Sequence, residues 1–385
     1  MKKAVLFIIF YSTIINLYSQ DFSFGIFNDQ RLFTCEDYQY LPEYTAGALM
    51  AMANIDTLDF LVVQGDLDPA YCTNDLIELY FGEGFTWYPA VGNHDTPGGG
   101  QESYPGENMD FLRSMNDGVH NTLPNLVSFG PRDCVETTYS FDYGNCHFVV
   151  LNEYFDGDSD TGSYGDVVDP LYDWLVDDLS TNTLEYVFVI GHEPAFPQPD
   201  ADNGRLRHVG DSLDQYPENR DRFWNVLVEY NVLAYLTGHT HNYSAILLDG
   251  VWQFDVGHAR GQGDPGAPST FCIVSVSGDY ISLNTYREGA DTADEVDYMD
   301  YLHSYNLHGT PPTPTNIEIE YVNSSVTLEW DYVPSAYYWI YGANDPTGEF
   351  FNVSFQGIFE RVADKMTWTT PINSEKKYYH ITRHD

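Results

Sequence analysis

Five short apolar segments of this sequence share one feature, because each ends in a cluster of aspartate, asparagine or histidine. The segments are Phe24–Asp29, Val62–Asp66, Pro89–Asp95, Val187–Glu193 and Tyr235–His241. In an open α/β sheet the carboxyl ends of the strands border the ligand-binding crevice, so side chains far apart in sequence can meet there. One strand that ends in Gly-Asp usually indicates only a turn. Five such segments, three of which bring histidine, predict one polar crevice in a layered α/β fold.

The residue types in these segments predict a metal centre. Carboxylate, amide and imidazole ligands without thiolates suit Zn, Mn, Fe or similar divalent ions, and the chain has no Cys-x-x-Cys pair. A carboxylate that can bridge, flanked by histidine and asparagine, is typical of a site for two divalent metal ions. Two such ions can hold a phosphoryl group between them.

The charge of the chain limits its partners. Lys and Arg number 16 against 58 Asp and Glu, which gives a formal net charge of −42. Such a surface repels nucleic acid and anionic membranes, so we expect no nucleic-acid binding. An anionic substrate could bind only where metal ions or a few arginines reverse the field locally.

The same segments, in the same order, resemble the motifs of the calcineurin-like metallophosphoesterases. The likeness extends over about residues 22–287 and is carried by Asn28–Arg31, Gly65–Asp66, Gly92–Asp95, Gly191–Glu193 and Gly238–His241. It implies a four-layer αββα sandwich. It also implies a metal-dependent hydrolase that cleaves the phosphomonoester or phosphodiester bond of a small substrate with metal-activated hydroxide.

The resemblance further implies a role for individual residues. Asp66 would bridge two divalent metal ions, and His94, paired with Asp95, would be the acid near the leaving oxygen. The remaining implied ligands fall into two sets, Asn93, His192 and His239 for one ion and Asp29 and His241 for the other.

The first motif departs from the family pattern at Arg31. The family has Asp-x-His here, whereas an arginine side chain stays protonated and cannot ligate a metal. One of the two ions therefore loses a protein ligand. Arg31, and Arg260 after a later strand near the crevice, are candidate substrate-binding residues for phosphate. The alternatives are a solvated or ion-paired Arg31 and a packing role for Arg260.

The departure at Arg31 leaves two classes of function open. One is the exported metal-dependent phosphoesterase. The other is a non-catalytic secreted binding protein built on a degenerate metallophosphoesterase fold, which would hold at most one metal ion tightly. The sequence has no Gly-x-Ser-x-Gly elbow or Walker loop to support a different hydrolase.

The chain divides into a large α/β region and a small all-β region. Short apolar strands alternate with predicted helices over 43–55, 170–179 and 220–230, which is the pattern of layered α/β packing. Residues 310–315 (TPPTPT) have the composition of a stiff linker. Alternating apolar residues beyond it predict a small β-sandwich that resembles a fibronectin type III-like module. The predicted domains are therefore 20–309, the linker 310–315, and 316–385.

Residues 1–19 have the pattern of a secretory signal peptide, with two lysines, an apolar run and the small Ser19 before the predicted cleavage site. The alternative, a membrane anchor, is disfavoured because the run is short, and no later run is long enough to span a membrane. We therefore expect a secreted or periplasmic protein without a transmembrane anchor.

Export makes disulfides plausible for the five cysteines of the chain. The position of four of them beside predicted strands favours the pairs Cys35–Cys72 and Cys134–Cys146. Cys272 lies within an apolar strand and is expected to be a buried free thiol.

Overall fold

The computed structural model describes most of the α/β region and the strands of the C-terminal region. The described residues are 21–30, 45–67, 69–97, 105–118, 123–259, 268–288, 301–309, 317–322, 325–331, 337–343, 351–352, 357–362, 365–371 and 378–384. The predicted signal peptide, the Pro-rich linker, Arg31, Cys35 and Arg260 lie outside these ranges.

Two mixed sheets form the centre of the α/β region. Their strands are β1 Phe22–Phe27, β2 Phe60–Val63, β3 Trp87–Pro89, β4 Leu126–Phe129, β5 Tyr139–Tyr143, β6 Cys146–Val150, β7 Tyr186–Ile190, β8 Ala234–Thr237, β9 Tyr243–Leu248, β10 Val251–Val256, β11 Thr270–Ser277, β12 Tyr280–Arg287 and β13 Tyr301–His308. The first sheet has the order β13-β12-β11-β1-β2-β3 and the second the order β4-β5-β6-β7-β8-β10-β9. Strands β1 to β3 run parallel, as do β6, β7, β8 and β10. The carboxyl ends of parallel strands lie at one edge of a sheet, which is where the predicted polar clusters begin.

Helices cover the outer face of each sheet. They are α1 Thr45–Ile55, α2 Ala70–Phe81, α3 Pro105–Ser114, α4 Asp169–Thr181 and α5 Pro217–Glu229. The first three pack on the first sheet, in a core that includes Leu49, Ile77 and Leu112. The last two pack on the second sheet through residues such as Leu175 and Phe223. The layer order is therefore αββα, as predicted. None of the helices in the described ranges is long and apolar enough to cross a membrane.

The alternation along β2 shows why both faces of the central strands are apolar. Phe60 and Val62 lie in the core between the two sheets, whereas Leu61 and Val63 lie in the core under the helices. Successive side chains of a strand point to opposite faces, so a strand that is covered on both faces must be apolar throughout. Aromatic rings fill the space between the sheets, and the rings of Phe60 and Phe148 meet edge to face with their centroids 5.5 Å apart.

The C-terminal region is all β. Its strands are β14 Glu318–Val322, β15 Ser325–Asp331, β16 Tyr337–Ala343, β17 Phe351–Asn352, β18 Ile358–Val362, β19 Lys365–Pro371 and β20 Tyr378–His384. They form a four-stranded sheet of order β14-β15-β19-β18 and a three-stranded sheet of order β17-β16-β20. Trp330 and Trp368 are fully buried in its core. The additional all-β region is thus present, and its likeness to a fibronectin type III-like module stays a prediction.

The element predictions agree best where the apolar pattern is strongest. The apolar segments that begin at Phe24 and Val187 lie on β1 and β7, and the predicted helices 170–179 and 220–230 correspond to α4 and α5. The prediction missed α2, whose apolar face is blurred by the exposed side chains of Tyr71 and Leu79.

The predicted Cys134–Cys146 pair is wrong, because both residues have free thiols. Cys146 lies in the core between the two sheets, and Cys134 lies in the core on the helix side of the second sheet. Sheet backbone therefore separates the two sulfurs. Cys72 is disulfide-bonded, and its predicted partner Cys35 is outside the described residues. Cys272 is free and buried, as predicted.

Candidate functional site

The structure brings the strand-end clusters together in one crevice. Asp29 and Asp66 follow β1 and β2, and the short 3₁₀ helix Asn93–Asp95 follows β3. His192 follows β7 of the second sheet, and His239 and His241 follow β8. The backbone N–H of His239 donates to Asp29 Oδ2 at 2.8 Å, which joins residues 210 positions apart in sequence. The crevice that the sequence predicted is therefore present.

Several of these residues have a left-handed backbone. The φ angles are 52° at Asp29, 58° at Asp66, 67° at His239 and 57° at His241. This region is unfavourable for side chains with a Cβ, at about 1–2 kcal/mol per residue. Such strain persists only where the surrounding structure enforces it, and it clusters at functional sites.

Two glycines of the motifs permit the close approach of these loops. A Cβ on Gly92 would overlap the backbone nitrogen and the carboxylate of Asp66, and a Cβ on Gly238 would overlap the side chain of Asn28. Both clashes are with the motif residues of another strand end. The glycines are therefore needed for the strand ends to bring their polar groups close to one another, within the first sheet at Gly92 and between the two sheets at Gly238.

One part of the crevice consists of Asp66, Asn93, His192 and His239, which we call the Asn93 half-site. Asn93 Oδ1 lies 3.3 Å from His192 Nε2 and 3.2 Å from His239 Nδ1. Asp66 Oδ1 lies 3.5 Å from His192 Nε2. Asn93 Oδ1 is therefore close to both rings, and Asp66 Oδ1 is close to His192.

Backbone carbonyls set the orientation of both rings in the Asn93 half-site. His192 Nδ1–H donates to the carbonyl oxygen of Gln64 at 2.6 Å, and His239 Nε2–H donates to that of Asp211 at 2.9 Å. In the neutral rings, the other nitrogen of each histidine then presents a lone pair to Asn93 Oδ1, which is itself an acceptor. Lone pairs that face each other fit a cation between them, and a second ring nitrogen held by a carbonyl is typical of histidine metal ligands.

The pKa values in this half-site follow from burial and charge. Burial raises the pKa of Asp66, but the positive charges of His192 and His94 outweigh it and hold this pKa well below its usual range. Burial lowers the pKa of His192, but the charge of Asp66 reverses the effect and raises it to about 9. Burial and the neighbouring His192 charge lower the pKa of His239.

The second part of the crevice consists of Asp29, Asp66 and His241, which we call the Asp29 half-site. Donor atoms of these three residues lie within 4.8 Å of one another, and all three are buried. Asp29 Oδ2 accepts hydrogen bonds from Asn28 Nδ2 and His239 N. Asp29 Oδ1 is buried without a hydrogen-bond partner among the described residues and lies 3.4 Å from His241 Nε2. A buried, unpartnered carboxylate oxygen next to an imidazole fits a metal ion.

His94 and Asp95 lie beside the shared Asp66. His94 Nε2 is 3.8 Å from Asp66 Oδ2, and its side chain is 18% exposed, so it faces the open crevice. Asp95 is buried and accepts hydrogen bonds from the backbone nitrogens of Gly92, Asp66 and Leu67. Burial and the Asp66 charge raise the pKa of Asp95 to about 7. These contacts position the Asp66 loop, and the predicted pairing of Asp95 with His94 stays a prediction.

Sequence reasoning missed a buried glutamate behind the Asn93 half-site. Glu153 accepts hydrogen bonds from the backbone nitrogens of His192 at 2.9 Å and Glu193 at 2.7 Å, and from the hydroxyl of Tyr235. It follows β6 by three residues, so it carries the same signal as the five segments, an apolar strand that ends in polar side chains. Burial and the Glu153 charge raise the pKa of Glu193 to about 8.

Sequence reasoning also missed Arg207. Its Nη1 donates to His241 Nδ1 at 2.9 Å, and its Nη2 lies 3.2 Å from His208 Nε2. No periodic pattern marks the irregular segment that carries Arg207, so a sequence signal for it was lacking. The predicted phosphate-binding residues, Arg31 and Arg260, are outside the described residues.

A cavity of about 310 Å³ opens beside the Asn93 half-site. Its lining includes Asn93 and His239 on one side and Glu193, Asp211 and Tyr164 on the other. It leads from the candidate metal ligands to solvent.

A comparison with known protein families shows which family the chain belongs to. The family model described as calcineurin-like phosphoesterase matches residues 40–243. The chain belongs to this family. The matched range contains every residue of the Asn93 half-site, whereas Asp29 precedes it. The family is generally metal-dependent and its name describes phosphoester hydrolysis, in agreement with the residue types found here.

Among solved structures, PhoD shows the same fold at low identity, and two others are similar to this chain. PhoD is 14% identical, with 76% of this chain and 72% of that chain covered and a TM-score of 0.50. GAP50, the anchor in the inner membrane complex of Plasmodium, is 13% identical, with 76% of this chain and 90% of that chain covered and a TM-score of 0.43. Vacuolar protein sorting 29 from Cryptosporidium parvum is 11% identical, with 71% and 94% covered and a TM-score of 0.33. A comparison with curated proteins gives no match.

Proposed function

We propose that this protein is a metal-dependent phosphoesterase that hydrolyses phosphomonoester or phosphodiester bonds. One observation carries the proposal: carboxylate, amide and imidazole groups from five strand ends converge on one strained, buried crevice. Membership of the calcineurin-like phosphoesterase family supports the reaction class.

The residues at the crevice would hold up to two divalent ions, such as Zn, Mn or Fe. Asp66, Asn93, His192 and His239 would hold one, and Asp29, Asp66 and His241 the other. When bound, such ions polarise a phosphoryl group and lower the pKa of a water molecule.

His94 is the group of the chain best placed to protonate a leaving oxygen. Its backbone N–H donates to Asp66 Oδ1 at 2.8 Å, which fixes the residue next to the shared carboxylate, while its ring is partly exposed to the crevice. A general acid must reach the leaving atom and must also exchange protons with solvent. His94 meets both conditions.

The cavity beside the Asn93 half-site would receive the leaving group. Its lining includes the carboxylate of Asp211, which disfavours an anionic leaving group because like charges repel. We therefore expect a small phosphate ester with a neutral or cationic alcohol. Phosphate binding by Arg31 and Arg260 remains a prediction from the sequence.

We also propose that the protein is exported to the cell exterior or the periplasm. Residues 1–19 support this through their signal-peptide pattern. The disulfide at Cys72 adds support, since disulfides persist in oxidising compartments. N-terminal sequencing of the protein recovered from the cell exterior or the periplasm tests the proposal, because cleavage after Ser19 is expected.

The test of the reaction is hydrolysis of a chromogenic phosphomonoester and a chromogenic phosphodiester by the full mature chain. Activity should disappear after chelation and return with Mn²⁺ or Zn²⁺. The Asp66→Asn variant serves as the inactive control. Lack of turnover by folded protein in excess metal would instead favour the non-catalytic binding protein.

A further inference from the structure

Arg207 makes the two half-sites chemically unequal. Its guanidinium reaches His241 Nδ1 at 2.9 Å and His208 Nε2 at 3.2 Å. A guanidinium has five N–H donors and no acceptor. Both ring nitrogens that it contacts must therefore accept a hydrogen bond through a lone pair. His208 agrees with this arrangement, because its other nitrogen, Nδ1, lies 3.2 Å from the carboxylate of Asp211 and can donate to it.

The contact from Arg207 determines which nitrogen of His241 carries the proton. A neutral imidazole has one N–H, so if Nδ1 accepts, the proton must be on Nε2. Nε2 is the nitrogen that lies 3.4 Å from Asp29 Oδ1, so its N–H is on the side of the ring that faces the Asp29 half-site. A histidine that ligates a metal must present a lone pair at the ligating atom. With Arg207 in place, the ring nitrogen of His241 that faces the Asp29 half-site therefore carries a hydrogen and has no lone pair for a metal ion.

The Asn93 half-site has the opposite arrangement. Carbonyl oxygens of Gln64 and Asp211 accept from His192 and His239, so the nitrogens that face Asn93 present lone pairs when the rings are neutral. The charge of Arg207 adds to the difference, since a cation next to His241 repels a metal ion at the Asp29 half-site.

We infer that Arg207 competes with a metal ion for His241, so that the Asn93 half-site binds a divalent ion tightly and the Asp29 half-site binds one weakly. This inference rests on the proposed function, because it presupposes that the crevice binds divalent metal. Arg207 thus controls how tightly the second equivalent of metal binds.

The experiment is a titration of the chelated full chain with Mn²⁺ and with Zn²⁺, followed by calorimetry and by metal content after dialysis. The parent protein should show one tight and one weak equivalent. In Arg207→Ala, the weak equivalent should tighten by about 10- to 100-fold, the usual range when a group bonded to a metal ligand is changed. The tight equivalent should not change. Arg207→Met keeps more of the side-chain packing and should give the same result.

Two further variants sharpen the titration. Arg205→Ala is the matched control, since Arg205 is also half-buried and lies two residues away on the same segment; its two affinities should equal those of the parent. His241→Ala in the Arg207→Ala background should abolish the gain.

Each outcome of the titration is decisive. Two equal equivalents in the parent, an unchanged weak equivalent in both Arg207 variants, or no metal binding at all would overturn the inference. One tight and one weak equivalent in a chain that hydrolyses neither ester would overturn the proposed reaction and leave the inference about Arg207 standing.

Discussion

The Asn93 half-site and a second, partly buried cluster, which we call the His147 cluster, are made from similar groups but differ in what they can bind. The His147 cluster consists of His147, Asp142 and Asp178. His147 Nδ1 lies 2.7 Å from Asp142 Oδ1, and Nε2 lies 2.9 Å from Asp178 Oδ2. Both ring nitrogens thus have carboxylate partners at hydrogen-bond distance. Asp142 and His147 face each other on the paired strands β5 and β6.

The difference shows that residue types alone do not make a metal site. In the Asn93 half-site, each histidine has one nitrogen held by a backbone carbonyl, and the other faces an amide oxygen shared with a second ring. In the His147 cluster, a proton on each ring nitrogen gives both neighbouring carboxylates a hydrogen-bond donor. The first arrangement fits a cation, whereas the second is complete as it stands and serves stability.

The largest expected effect is that of Asp66→Asn. The change removes the carboxylate that both half-sites share, so metal binding and turnover should fall together, turnover by at least about 10³-fold. Metal content after dialysis and steady-state kinetics measure the two effects. Full metal content together with lost turnover would separate Asp66 from metal binding and contradict the assignment.

His94→Ala should come next, with a loss of turnover of about 10²- to 10⁴-fold, as expected for the removal of a general acid. Metal content should stay near that of the parent, since His94 is not among the proposed ligands. The loss of turnover should be smaller for esters with better leaving groups, because such groups need less protonation as they depart. Parallel loss of metal and turnover would make His94 a structural residue of the half-site.

His147→Ala should reverse the pattern by lowering stability while sparing the reaction. It leaves the buried carboxylate of Asp178 without its cationic partner, and breaking a buried pair in this way costs about 3 kcal/mol or more. Urea denaturation measures the loss, and turnover per folded molecule should equal that of the parent. Asp142→Asn is the matched control with a smaller loss, because the Asp142 side chain is 42% exposed. Reduced metal content in His147→Ala would contradict the conclusion that the His147 cluster serves stability and takes no part in metal binding.

The smallest expected effect is a pH dependence of stability that originates in His147. Burial lowers its pKa, but the hydrogen bonds that His147 donates to Asp178 and Asp142 outweigh burial and raise the pKa above its ordinary 6.5. A group whose pKa is raised by folding stabilises fully below its unfolded pKa, and this contribution is lost as the pH rises through the folded value. The difference in free energy of unfolding between the parent and His147→Gln should therefore shrink from pH 6 to pH 9. Groups such as Asp95 and Glu193 titrate in both proteins and cancel, so a constant difference would contradict a charged His147.

The family resemblance was sufficient to predict the four layers, and the residue pattern was sufficient to predict the convergence of the polar clusters. Apolar strands that end in Asp, Asn or His can be read one at a time, and the rule for carboxyl ends places them together. The side-chain geometry could not be predicted in the same way. Whether His241 faces a carbonyl or a guanidinium depends on the path of the segment that carries Arg207, which has no periodic pattern. The Cys134–Cys146 error has the same origin, because proximity in sequence does not show which face of a sheet a sulfur occupies.

The left-handed backbone of Asp29, Asp66, His239 and His241 has a consequence for how such a protein can change over generations. Glycine adopts this conformation without the steric cost that other residues have, so glycine at any of these positions would relax the fold and remove a candidate ligand in one step. Selection for stability and selection for the reaction thus oppose each other at the same positions. A descendant protein that is no longer selected for catalysis could lose these candidate ligands and become more stable, while its layered architecture stayed intact.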